Sequence, residues 1–77
     1  MKTNEELISF ATTNRDSTSG VESRAWNCML DMATDDEPRV LLGILLKLRI
    51  KIKLKKIMSD REVKVSVIET MINEIKG

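Results

Sequence analysis

Histidine and tyrosine are both absent from this chain of 77 residues, and cysteine occurs once, at Cys28. Without them, acid–base chemistry would fall to carboxylates and lysines, and a cysteine–histidine nucleophile pair is impossible. Gly20, Gly43 and Gly77 are isolated from one another, so there is no glycine-rich phosphate-binding loop. These absences predict a protein that is not an enzyme. We expect no catalytic residue, no cofactor, no metal site and no small-molecule substrate.

The single cysteine also rules out an internal disulfide, and it fits a reducing compartment with Cys28 as a small buried apolar residue. Residues 1–10 lack the apolar core of a signal peptide. The longest apolar run, from Val40 to Leu46, is much shorter than the roughly 20 residues that a membrane span needs. The expected location is therefore the cytoplasm, without a membrane partner.

The length of the chain allows one hydrophobic core, which predicts a single domain, 1–77. Hydrophobic residues make up 42% of it, which is typical of a globular protein and too high for a disordered one. Phe10 and Trp26 are the only aromatic residues, so the core must be aliphatic. A core this small, without disulfide or metal, depends on well-packed helices or on self-association.

Serine or threonine followed three residues later by glutamate predicts a helix start at three places: Thr3–Glu6, Ser19–Glu22 and Ser59–Glu62. We expect the first helix to fade at 12–14, because residues 14–20 are rich in the side chains that favour loops. The second helix should end near Ala33. Its predicted apolar face consists of Val21, Ala25, Cys28, Met29 and Met32.

Residues 38–58 fit two structures. Basic and apolar residues alternate over 47–55, and valine occupies every second position of 63–67, so an α+β fold with a hairpin at about 47–68 is one alternative. Helix is favoured, because an isolated two-stranded hairpin is marginally stable and because leucine and lysine are better helix formers. We therefore predict an all-α fold, a small bundle of three to four helices with a long central basic helix.

As a helix, this third segment would be apolar on two sides, and it would need partners on both. It would then lie at the centre of the bundle, or one side would face another subunit. Gly43 costs about 1 kcal/mol relative to alanine inside a helix, and close helix packing is the expected reason for it. The two predicted sides are Leu41, Leu45, Leu48 and Ile52, and Leu46, Ile50, Leu54 and Ile57. A fourth helix would bury Val63, Val67, Ile68, Met71, Ile72 and Ile75.

The net charge of +1 hides an uneven distribution. Eight acidic and three basic residues precede position 39, whereas ten basic and four acidic residues follow from there. The densest basic strip consists of Lys47, Arg49, Lys51, Lys53, Lys55 and Lys56. It could neutralise the phosphates of a nucleic acid, although no aromatic residue is interleaved for base stacking. The alternative is a solvated helix edge whose charges complement the acidic half.

Trp26 has two interpretations, as a core residue or as an interface anchor, because tryptophan is enriched at binding hot spots. The absence of catalytic groups and the two-sided helix predict a non-catalytic helical protein that acts through protein–protein interaction or self-association. The alternative is a nucleic-acid-binding accessory protein that uses the basic strip at 47–56.

The whole chain is rich in methionine, isoleucine and lysine, in stretches such as LKKIMSDREVKVSVIETMINEIKG at residues 54–77. In this it resembles the small accessory proteins of T4-like bacteriophages, of the kind encoded beside the phage recombination and repair helicase. This resemblance implies an accessory role in phage DNA replication, recombination or repair, in the cytoplasm of the host. It transfers no functional residue to this chain.

Overall fold

The computed structural model describes residues 1–55 and 60–77, and within them the chain forms helices and no strand. The predicted all-α bundle is confirmed. The hairpin alternative at about 47–68 is wrong for the described residues, because 47–54 and 61–68 are helical. The four helices are α1 (Asn4–Asp16), α2 (Gly20–Asp35), α3 (Pro38–Leu54) and α4 (Arg61–Lys76).

The helices pack as two pairs, α1 on α2 and α3 on α4, and α4 also contacts α1 and α2. The sequence predicts the basic helix at the centre of the bundle, but it is α2 and α4 that each contact all three other helices. α3 lies at the edge of the bundle and makes few contacts with α2. The buried core draws on all four helices and consists of Leu7, Ala11, Ala25, Trp26, Met29, Ala33, Leu41, Leu45, Ile52, Val67, Ile68, Met71, Ile72 and Ile75.

The start of α1 is the predicted capping box. The backbone N–H of Glu6 donates to Thr3 Oγ1 at 3.2 Å, and the backbone N–H of Thr3 donates to Glu6 Oε1 at 3.1 Å. These bonds satisfy two N–H groups that have no partner within the helix. The hydrogen bonds from the Thr3 backbone and hydroxyl also lower the pKa of Glu6, because they stabilise its carboxylate.

The predicted fading of α1 at 12–14 is wrong, since the helix continues to Asp16. Its polar residues bond back into the helix instead of breaking it. Thr12 Oγ1 donates to the carbonyl of Ile8 at 2.8 Å, and Asn14 Nδ2 donates to the carbonyl of Phe10 at 2.8 Å. The predicted loop at 14–20 is thereby reduced to three residues between the two helices.

The start of α2 is predicted correctly, but the predicted capping box is absent, because the side chain of Ser19 makes no capping hydrogen bond. The helix ends at Asp35, two residues beyond the expected end. Near that end, Asn4 Nδ2 donates to the carbonyls of Ala33 at 2.9 Å and Asp36 at 2.6 Å. These bonds join the start of α1 to the end of α2 and satisfy carbonyls that the helix leaves without partners.

The predicted apolar face of α2 is only partly correct. Ala25 and Met29 are buried, but Cys28 is exposed, so its predicted role as a buried apolar residue is wrong. Trp26 takes the buried position instead, because its large ring has more apolar surface to remove from water than a thiol has. The face that packs on the core is therefore rotated toward Trp26.

The ends of α3 and α4 also differ from the predictions. Pro38 begins α3 as expected, but the helix ends at Leu54 and not at Met58. Lys55 is its C-cap, with extended backbone and an N–H that donates to the carbonyl of Ile52 at 3.2 Å. The residue that caps α4 is Asp60, without a side-chain bond, and the predicted cap Ser59 lies outside the described residues.

Candidate functional site

The inner face of α3 packs against the core of the bundle. Leu41 and Leu45 are completely buried, Ile52 is buried, and Leu48 packs against them, as the sequence pattern predicts. Pro38 suits the first turn of the helix, where its missing N–H has no intrahelical partner to lose. Because this face is buried, the side chains on the opposite side of α3 point away from the core.

The outer face of α3 carries a second apolar stripe. Gly43, Leu46, Ile50 and Leu54 recur at i, i+3, i+7 and i+11, which places them on one side of a helix; we call this stripe the outer ridge. Ile50 is 57% exposed and Leu54 is 74% exposed, whereas Leu46 is half-buried. The predicted second side of the helix is therefore present and is exposed at Ile50 and Leu54, whereas Leu46 packs partly against the core and Ile57 lies outside the described residues.

Gly43 lies in line with this ridge and not in a helix contact. Apart from its chain neighbours and the backbone of its own helix, a Cβ atom added at Gly43 would meet no atom within 4 Å. The predicted reason for this glycine, close packing within the bundle, is therefore wrong. The missing side chain therefore does not improve packing within the bundle, and glycine inside the helix lowers stability by about 1 kcal/mol relative to alanine.

The basic strip is divided by the helix into two rows. Residues two apart in sequence are turned by about 200° around a helix, so every second lysine falls on the opposite edge. Lys47 and Lys51 follow one edge of α3, with Lys55 just beyond its end, and Arg49 and Lys53 follow the other edge. The outer ridge runs between the two rows. The sixth predicted residue of the strip, Lys56, lies outside the described residues.

The two rows have different neighbours. Lys53 Nζ lies 3.2 Å from Glu69 Oε1 of α4, whereas Lys55 lines a cleft beside α2. Among the described residues, no ion pair joins the basic side chains of α3 to the acidic side chains of α1 or α2. The charge complementarity that we predicted between the two halves is not expressed as ion pairs of this strip. Lys47 and Lys51 face solvent.

Trp26 lies in the core, with 2% of its surface exposed. Its ring packs edge-on against Phe10 with the centroids 5.5 Å apart. The indole Nε1–H has no hydrogen-bond acceptor within the described part of the chain. This burial agrees with the core interpretation and leaves almost no surface through which Trp26 could act as an interface anchor.

Within the described residues, no helix is both long and apolar enough to cross a membrane. Nor do acidic residues and the cysteine come together there as a group that could hold a metal ion.

Comparison with known proteins finds no family model, no curated protein and no solved structure that matches this chain. The resemblance to accessory proteins of T4-like phages therefore stays a prediction. The candidate site depends on the geometry of α3 alone. The sequence pattern named its apolar residues, but it could not show which of the two sides the fold would leave uncovered.

Proposed function

We propose that this chain is a non-catalytic helical domain that binds a protein partner through the outer ridge of α3. The observation that carries the proposal is the exposure of Ile50 and Leu54 on a helix whose inner face is already buried. Single exposed apolar residues are common, but an aligned stripe on one helix is typical of an interaction surface. Gly43 supports the proposal, because it allows the backbone of a second helix to approach closely.

The charges beside the ridge indicate the chemistry of the partner. Lys47 and Lys51 border the ridge on one side and Arg49 and Lys53 on the other. A helix with an apolar stripe between acidic residues complements this arrangement, since opposite charges across an interface steer association and fix its register. We therefore propose an amphipathic helix of a different protein, with Asp or Glu beside its apolar residues.

A second copy of this chain is a poorer occupant of the ridge. A symmetric dimer would place the same face on both sides of the interface, and its basic rows would then meet each other. Contact between the ridge of one copy and the acidic half of another would leave a free ridge at the end of each assembly. Charge therefore favours a partner with another sequence.

Nucleic acid is the alternative that the basic strip predicted. The structure weakens its support, because the strip is divided by an apolar ridge and Lys53 is already close to Glu69. Phosphate binding by α3 would bring Ile50 and Leu54 close to a charged backbone without covering them. An accessory role in phage DNA replication, recombination or repair is supported by the resemblance alone, and it stays a prediction.

Selection from a displayed library of helical peptides with randomised surface positions tests the proposal. We expect the selected peptides to have an apolar stripe between acidic residues, and to shift the NMR signals of the outer ridge. The paired change Ile50→Ser and Leu54→Ser should weaken their binding at least about tenfold, because each side chain loses the burial of an aliphatic group. Their affinity should also fall with added salt.

Thr3→Ala is the control for stability in this experiment. It removes the capping box at the far end of the chain from the ridge sequence and should lower stability by about 1 kcal/mol without weakening the selected peptides. A selection without binders, or with binders that shift other residues, contradicts the proposal. So does binding of the unmodified chain to duplex DNA, to anionic vesicles or to itself that disappears in the Ile50→Ser and Leu54→Ser variant.

A further inference from the structure

A separate concave site lies on the flank of α3 that faces α2. Both helices pack against α4, but they scarcely contact each other. The space between them is a cleft of about 370 Å³, which falls within the range of roughly 300–1,000 Å³ that small-molecule sites occupy. This flank does not include the exposed residues Ile50 and Leu54 of the outer ridge.

The cleft exists because α2 presents small side chains to it. Val21, Ala25 and Cys28 line it at successive turns, in positions where leucine or methionine would fill the space. The remaining apolar lining comes from the three helices that surround the cleft: Met29, Leu48, Ile52 and Ile68. The interior of the cleft is thus aliphatic and contains no aromatic side chain among its described lining residues.

The charged residues of the cleft are mostly of one sign. Among the described lining residues, Arg24, Lys55 and Lys64 are the cations and Asp60 is the single carboxylate. Arg24 and Lys64 form no ion pair within the described part of the chain. Cations from three different segments therefore converge on an aliphatic cavity, and the local charge is positive.

We propose that this cleft binds a fatty-acid-type anion, with the acyl chain on the aliphatic lining and the carboxylate beside Arg24 and Lys64. The chain would remove apolar surface from water, and the carboxylate would form charge-assisted hydrogen bonds with the cations. A cationic amphiphile is excluded by the sign of the charges. A flat aromatic ligand would find no ring on which to stack. This site is independent of the proposed function of the outer ridge.

Cys28 makes the proposal directly measurable. It is exposed, it lines the cleft, and it is the only thiol in the chain, so alkylation reports on this site alone. Decanoate, which is ionised at neutral pH, is the probe, and 1-decanol and decyltrimethylammonium are the matched controls. We expect decanoate to slow the alkylation of Cys28 and to shift the methyl signals of Met29, Ile52 and Ile68. Decanol should bind about tenfold more weakly, and decyltrimethylammonium should give no protection.

Two kinds of variant separate the contributions of the cleft. Val21→Phe fills the cavity and should abolish the protection of Cys28. Arg24→Gln combined with Lys64→Gln should weaken the binding of decanoate about tenfold and leave the binding of decanol unchanged. Arg39→Gln is the control, because Arg39 is an exposed cation that does not line the cleft. Equal protection by all three probes overturns the proposal, as does decanoate binding that persists in Val21→Phe when circular dichroism shows this variant to be folded.

Discussion

The two faces of α3 are chemically similar in sequence and opposite in structure. Each has leucine and isoleucine at helical spacing, yet Leu41 and Leu45 on the inner face are completely buried, whereas Ile50 and Leu54 on the outer face are largely exposed. The difference follows from the position of the helix at the edge of the bundle, where α4 covers one side only. Hydrophobicity alone therefore does not decide which residues form the core. The number of neighbouring helices decides it.

The alternating pattern of 47–55 has a simple consequence once it is wound into a helix. A period of two is typical of a strand, but on a helix it sends successive lysines to opposite edges. The apolar residues between them are likewise divided, with Ile52 toward the core and Ile50 toward solvent. A sequence that looks like a strand with one basic face thus becomes a helix with two basic rows and two apolar faces.

The largest expected effect compares one leucine from each face. Leu45→Ala should lower the free energy of unfolding by about 2–5 kcal/mol, because it leaves a cavity in the core. Leu54→Ala should change it by no more than about 0.5 kcal/mol, since its side chain is 74% exposed. Urea unfolding followed by circular dichroism measures both.

Leu45→Val keeps this comparison measurable if Leu45→Ala does not fold, because it removes less volume from the same site. Leu45→Val should still lower the free energy of unfolding by more than Leu54→Ala does. Equal losses at positions 45 and 54 would mean that the outer ridge is covered in solution, and the comparison between the two faces would then fail.

Much of the fold could be predicted from the sequence, because its signals are local. The capping box of Thr3 and Glu6, the proline at the start of α3 and the apolar spacing of α4 each fix a helix without reference to the rest of the chain. The burial of α4 was predicted for six residues, and Val63 alone among them is exposed. The sequence therefore predicts that these helices exist and approximately where they lie.

The candidate site could be predicted only in part, because exposure depends on contacts between helices. The sequence predicts both apolar sides of α3, but both have helical spacing, so the pattern does not show which side is buried. Only the position of α4 distinguishes them. The exchange of Cys28 and Trp26 has the same cause, since a small rotation of α2 decides which side chain enters the core. The cleft beside α2 depends on the separation of two helices, for which the sequence contains no local signal.

Glycine at position 43 provides the second way to test the comparison. Gly43→Ala should raise the free energy of unfolding by about 0.5–1 kcal/mol, because the added Cβ meets open space and alanine favours helix. The same change should weaken the binding of peptides selected on the outer ridge. Gly20→Ala is the matched control: Gly20 has φ of +62°, a conformation that strains alanine, so that variant should lose stability. A loss of stability in Gly43→Ala would show that the outer face is packed against something.

The smallest effect distinguishes the two basic rows of α3. Lys53 Nζ and Glu69 Oε1 are 3.2 Å apart with both side chains about half exposed, so a double-mutant cycle to alanine should give a coupling of about 0.2–1 kcal/mol that falls with added salt. The matched cycle of Lys51 with Glu69 should give none, because no ion pair joins them. Coupling in both cycles would mean that the rows share one electrostatic environment. Coupling in the first cycle alone would leave Lys47, Arg49 and Lys51 as the cations beside the ridge with which a partner can pair.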